Sequence, residues 1–313
     1  MHNHIHIICH PGAGSYRGQR ILNQVTDLLE TYHATYLTYL TDHKSHARLI
    51  SQQISHKYPN HSPGLILVIG GDGTLHEVVE ALFYSLHKIP VAFIPAGTGN
   101  DFARARYQTQ DLNQMVRHLL YLKQIRDLPI ISYQDNIHHR QGIILNNMGY
   151  GLDAQVNYQA ERLQEGSILG KLANGSFTYL GGLVKSLHDI QLFDIHGQVD
   201  QEPFAFHQCG LVSIMNSPLA GGGLCLADQV DALDPLLSLV TYHNINSRAV
   251  WDCLRRVLIT KDHHQSDYIK QIKGNQLSLS ISYPVWGHED GEIIPAQVVD
   301  ITCQSDSYPF IYP

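Results

Sequence analysis

The sequence predicts two domains: an α/β domain over residues 1–127, with 298–313 available to complete it, and a β-rich domain over 128–297. Three observations carry this. Short aliphatic runs alternate with helix-period stretches through the first 127 residues, the signature of repeated βα units around a mostly parallel sheet. Near Asp127 the pattern changes to short β-branched and aromatic runs separated by turn residues, which reads as antiparallel β structure. A length of 313 residues is long for one domain and comfortable for two.

Four strands are expected in the first domain: Ile5–Cys9, Thr35–Thr41, Leu65–Ile69 and Pro90–Ile94. The run "LILVI" is unbroken, as a parallel strand buried on both faces requires. Helices are expected over Arg17–Tyr32, Ser45–Tyr58, Leu75–His87 and Leu112–Lys123. In the third, Leu75, Val78, Val79 and Leu82 recur at helical spacing. In the second domain "IISY", "GIILNN", "FAFHQCGLVSI", "LLSLVTYHNI", "SDYIKQI" and "QLSLSISY" read as strands. Two helical insertions interrupt them, at Ser167–His188 and Ser247–Ile259, and the closing "VVDITCQ" is strand-like enough to return to either domain.

Composition narrows the function. At 43% hydrophobic and 16% charged residues, this is an ordinary soluble globular chain. No apolar run approaches the roughly 20 residues of a membrane span. The start, "MHNHIHIICHPGAG", lacks the basic flank and long apolar stretch of a signal peptide. Cys9, Cys209, Cys225, Cys253 and Cys303 show no CxxC spacing, which points to reduced thiols in a cytoplasmic setting rather than to disulfides or zinc. A net charge of −7 without a Lys/Arg-rich stripe argues against nucleic acid as a partner. The 21 histidines read as surface polar residues, with "HNHIH", His138–His139 and His263–His264 the alternatives for metal capture. Either way the chain becomes less negative below about pH 6.5.

Two glycine loops carry the chemistry. Between the third strand and third helix lie Gly70, Gly71, Asp72, Gly73 and Thr74. About 25 residues on, the fourth strand runs into "PAGTGNDFARA", where Gly97, Thr98 and Gly99 precede a helix capped by Asn100 or Asp101. A strand, a glycine turn and a helix N-terminus place backbone N–H groups where a phosphate can sit. Two such loops on successive strands are expected side by side at one sheet edge, with Thr74 and Thr98 donating hydroxyls to one nucleotide. Neither is a Walker A loop or a GxGxxG dinucleotide turn. Asp72 would repel phosphate unless Mg²⁺, or a water on it, stands between them, which is a kinase-like arrangement.

Together "GGDGTLHEVV" and "PAGTGNDFAR" resemble the two nucleotide-binding motifs of the diacylglycerol kinase catalytic domain, shared by sphingosine, ceramide and bacterial lipid kinases. "GGDGT" alone is also carried by NAD kinases, so "GTGNDFAR" is the discriminating block. Further blocks extend the resemblance from about residue 7 to 295: "CHPGAG", "NNMGYGLDAQV", "GGGLCLADQVDALDPLLSLV" and "HEDGEIIP". The resemblance implies an α/β nucleotide domain of the NAD-kinase/diacylglycerol-kinase type, a C-terminal β-sandwich, and an active site in the cleft between them. It places ATP contacts at Thr41, at Gly70, Gly71, Asp72, Gly73, Thr74, Leu75 and His76, and at Gly97, Thr98, Gly99 and Asn100. It implies Mg²⁺ held by Asp231 (through its carbonyl), Asp234 and the Leu236 carbonyl. Glu292 would be the general base that accepts the alcohol proton, with Asp72 as the second catalytic carboxylate. The implied reaction is phosphoryl transfer from ATP to a lipid hydroxyl, diacylglycerol to phosphatidate in phospholipid biosynthesis. The chain would act at a membrane surface it visits transiently, and a homodimer is compatible with the family.

The chain departs from the pattern at three places. His10 stands where asparagine is usual, Asp228 where proline is usual, and Pro235 where the metal segment usually has glycine. Proline holds φ near −65°, so a glycine at positive φ cannot be replaced without moving the loop. Two alternatives therefore stay open: an NAD kinase, and a nucleotide- or lipid-binding protein that has lost turnover.

Overall fold

A computed structural model describes residues 4–57, 64–109, 111–122, 124–152, 154–155, 190–260, 262 and 265–312. The chain divides into two compact units, Met1–Leu128 with Ser307–Pro313, and Pro129–Asp306.

In the first unit, strands β1 (Ile5–Cys9), β2 (Tyr36–Leu40), β3 (Leu65–Gly70) and β4 (Val91–Pro95) run parallel in the order β2-β1-β3-β4. Every residue of β1, β3 and β4 is buried, whereas edge strand β2 is half exposed. That difference explains why the central strands are unbroken aliphatic runs and β2 mixes Thr and Tyr. Cys9 pairs with both Leu40 and Ile69, and Ile69 with Ile94, so the C-terminal strand ends are level. Near the chain's end, Phe310 pairs in parallel with Val91, and the Tyr308 hydroxyl donates to the Ile89 carbonyl at 2.7 Å.

Among the described residues, this unit has five helices: α1 (Ala13–Thr31), α2 (His46–Lys57), α3 (Asp72–Phe83), α4 (Asp101–Arg106) and α5 (Leu112–Arg117), the last continuing as a π-helical turn over His118–Leu122. Within α1, Gly14, Ser15 and Tyr16 are left-handed (φ 54, 57 and 66), so regular helix begins at Arg17. Gly14 is needed twice over, because a Cβ there would lie 2.3 Å from the Ala96 carbonyl oxygen. Helix α3 starts three residues before the apolar period and stops at Phe83. Its first turn is polar and carries no period, while Leu86 is 97% exposed and never joins the buried face.

The second unit is antiparallel. Its strands are β5 (Ile125–Asp135, whose first residues belong to the first unit), β6 (Arg140–Ile144), β7 (Asn147–Gly151), β8 (Phe193–Val199), β9 (Glu202–Cys209), β10 (Leu211–Met215), β13 (Leu237–Tyr242), β14 (Ile269–Gly274), β15 (Gln276–Glu289) and β16 (Glu292–Ile311), with a short β11–β12 pair at Leu219–Ala220 and Leu224–Cys225. The order is β14-β13-β10-β7-β15-β16; β8 and β9 continue from β15, and β5 and β6 from β16. Alternation in β15 shows the logic: Leu277, Leu279 and Ile281 are buried, with Ser278 and Ser280 partly exposed between them. They join Ile144, Tyr150, Val212, Leu239 and Val299 in one core. The second helical insertion is α6 (Ser247–Arg255), followed by a π-helical turn over Arg256–Thr260. The expected helix at Ser167–His188 lies outside the described residues.

Candidate active site

The two glycine loops touch. A Cβ built on Gly97 would lie 2.6 Å from the Gly71 Cα, so the contact exists only because Gly97 lacks a side chain. The Gly97 N–H donates to the Gly70 carbonyl at 3.1 Å, and the Ala96 N–H to the same oxygen at 2.6 Å. Asn100, left-handed at φ 56, donates its Nδ2 to the Gly97 carbonyl at 2.9 Å and closes the second loop. Asp72 ties the loops together: its carboxylate accepts the N–H groups of Asp101 and Phe102 at 3.1 Å each, at the start of α4. Its position in the first glycine loop is explained by this cap, with no cation required.

Helix α3 has Gly71 as its N-cap and so no side-chain cap, and its first turn presents backbone N–H groups at the loop. Gly73 is exposed and a Cβ there would meet open space, and Thr98 is exposed as well. Thr74 packs its side chain under Gly70, and Gly99 is partly exposed. Leu75 is fully buried and contributes its backbone, whose N–H donates to the Gly71 carbonyl at 3.1 Å. His76 is half-buried, 3.7 Å from Glu80.

Thr41 is buried at the end of β2, its N–H on the Cys9 carbonyl and its hydroxyl 3.1 Å from His10 Nδ1. His10 therefore serves the loop after β1, where the resemblance expects asparagine. Arg17 was missed by sequence reasoning: its Nη2 donates to the carbonyls of Gly97 (3.0 Å) and Pro95 (3.4 Å), while its Nε is buried without a hydrogen-bond partner. The left-handed turn at Gly14–Tyr16 aims it there, and no local pattern announces that. Beyond Thr41, exposed Asp42 and His43 and half-buried His46 bring one ligand atom each within 4.8 Å of one another, a donor set suited to transition metals rather than Mg²⁺.

In the second unit, Glu292 is exposed and follows a tight turn at Asp290 (φ 47) and Gly291 (φ 91). Asp290 anchors that turn by accepting the N–H groups of Leu145 (2.8 Å), Asn146 (2.7 Å) and Asn147 (3.0 Å). Beside it, Tyr133 donates its hydroxyl to Glu289 at 2.7 Å. The "EDGE" turn is thus held on the "NNMGYG" element through Asp290.

The expected Mg²⁺ segment does not fit a metal. The Asp231 carbonyl accepts the Asp234 N–H at 3.1 Å. Asp234 Oδ1 accepts the Leu236 N–H at 3.0 Å across Pro235, and Oδ2 accepts from Lys273 Nζ at 2.7 Å. The Lys273 ammonium, helped by the Leu236 N–H, holds the Asp234 carboxyl below the usual carboxylate range. Two of the three groups expected to bind the ion are already engaged by protein donors.

Residues 4–132 match the family described as diacylglycerol kinase catalytic domain. Residues 146–307 match that described as YegS C-terminal NAD kinase beta sandwich-like domain. YtlR of Bacillus subtilis (strain 168), named as a candidate lipid kinase, is 25% identical over 303 residues, 93% of this chain and 94% of its own. A candidate lipid kinase of Staphylococcus aureus (strain Newman) is 25% identical over 252 residues, 80% of this chain and 77% of its own. The crystal structure of a candidate diacylglycerol kinase from Bacillus anthracis str. Sterne superposes with a TM-score of 0.76 over 99% of this chain and 97% of that one. At 19% identity it shares the fold.

Proposed function

The chain belongs to the diacylglycerol kinase catalytic-domain family, and from that premise we propose that it is an ATP-dependent lipid kinase whose acceptor is diacylglycerol and whose product is phosphatidate. The observation that carries the reading is the locked pair of glycine loops, Gly71 against Gly97, at the C-terminal ends of β3 and β4. Open-sheet folds bind ligands at that edge. Backbone N–H groups of the uncapped α3 turn and the exposed Thr98 hydroxyl supply phosphate donors, and Arg17 adds a cation whose fork is held on the second loop.

Glu292 is the proposed general base. It takes the proton as the lipid oxygen bonds to the γ-phosphorus, and the bond from that phosphorus to the β,γ-bridging oxygen breaks to release ADP. Magnesium enters as ATP's own counter-ion, part of the substrate. No described helix is long and apolar enough to cross a membrane. The proposed encounter with the lipid is a transient visit to a cytoplasmic membrane surface.

The test is transfer of labelled γ-phosphate from ATP across a panel of lipids and NAD, with products separated by chromatography. Labelled phosphatidate is expected. Label on NAD would make the chain an NAD kinase, and ATP binding without transfer to any acceptor would make it a binding protein.

A further inference from the structure

The family resemblance calls for a magnesium ion at Asp231, Asp234 and Leu236, yet the protein fills that place itself. Lys273 lies on β14 directly across from Ser238 of β13, and this register brings its ammonium to Asp234, which precedes β13. Pro235 completes the change: with no N–H of its own, it lets Asp234 Oδ1 reach past it to the Leu236 N–H, an Asx turn. The segment is then stitched to its neighbours by protein donors and acceptors. Leu237 N–H donates to Ser305 Oγ at 2.9 Å, and Gln271 Nε2 lies 3.2 Å from Ser238 Oγ.

We propose that Lys273 is a built-in replacement for a divalent cation at the Asp231–Leu236 turn, so that this chain folds its second unit without Mg²⁺ there. Magnesium demands near-octahedral oxygen geometry at about 2.0–2.1 Å and gives up water reluctantly. A Mg²⁺ ion at this turn would have to displace the Lys273 ammonium from Asp234 or sit against its charge, and share the Asp231 carbonyl and Asp234 Oδ1 with the N–H groups already donating to them. An ammonium on a neighbouring strand asks for none of this, and it is present at any concentration of free metal. The assignment is independent of the kinase reading, since it concerns the fold of one unit and involves neither nucleotide nor lipid.

The test uses the purified full chain without nucleotide, comparing thermal midpoints in excess EDTA and in millimolar Mg²⁺, with Mn²⁺ binding followed by electron paramagnetic resonance. The wild-type midpoint should be the same in both solutions. Lys273→Met should lower it by a few degrees in EDTA, while Lys273→Arg, which keeps a cation, should stay near wild type. Should Lys273→Met fail to fold, the wild-type comparison and Lys273→Arg still decide. A Mg²⁺-dependent rise, or a bound Mn²⁺, that disappears in Asp234→Asn would overturn the proposal, as would an unchanged midpoint in Lys273→Met. A metal effect that survives Asp234→Asn arises elsewhere and leaves the assignment standing.

Discussion

Replacing Asp72 with alanine separates two explanations for a carboxylate beside a phosphate site. The side chain caps α4 through two N–H···O bonds of 3.1 Å, to Asp101 and Phe102, and so joins the first glycine loop to the helix behind the second. Losing an aspartate cap costs about 0.5–2 kcal/mol. Leaving two N–H groups at a partly buried helix start puts the value at the upper end, about 2 kcal/mol. For a chain of this size that corresponds to a fall in thermal midpoint of about 3 °C. Because the cap also holds the loops in contact, ATP affinity should fall by about tenfold, or 1.4 kcal/mol. Asp72→Asn keeps one acceptor oxygen and should lie between wild type and alanine in both measurements. Thermal denaturation and calorimetric ATP titration on the three proteins make the comparison. If Asp72 instead acts on a metal bound to phosphate, stability stays at the wild-type value in both variants. Turnover then falls by about 100-fold or more in both, since asparagine cannot replace the charge. An unchanged midpoint in Asp72→Ala would refute the capping argument.

Three further outcomes are expected. Gly97→Ala puts a methyl group 2.6 Å from the Gly71 Cα and should force the loops apart, weakening ATP binding at least about tenfold; calorimetric titration at wild-type affinity would show that the loops do not act as a unit. Glu292→Gln should lower kcat by about 10²–10⁴-fold with little change in ATP affinity or thermal midpoint, since the side chain is exposed; near-normal turnover would move the base elsewhere. Sedimentation with anionic vesicles should increase between pH 7.5 and 5.5, because protonating part of the 21 histidines offsets a net charge of −7; binding that does not rise on acidification removes the electrostatic account of membrane visits.

How much of this was legible depends on how far along the chain each cause lies. The βα alternation was legible because strands buried on both faces must be continuous aliphatic runs, as β1, β3 and β4 are. The meeting of the glycine loops was legible because they end adjacent parallel strands of equal register. Helix α3 was misjudged at both ends because an apolar period marks a buried face and says nothing of a polar first turn. Asp72 was singled out correctly as unusual, but its partners are 29 and 30 residues away and are backbone groups, which no side-chain pattern reveals. In "EDGE" attention fell on Glu292, while Asp290 holds the turn by accepting three N–H groups from residues more than 140 positions earlier. Pro235 announced that the metal turn had changed and could not say what replaced the ion. That answer required the antiparallel register of β13 and β14, which brings Lys273 back across 39 residues to Asp234. Local sequence marks where a site departs from its family, and strand pairing supplies the group that makes the departure tolerable.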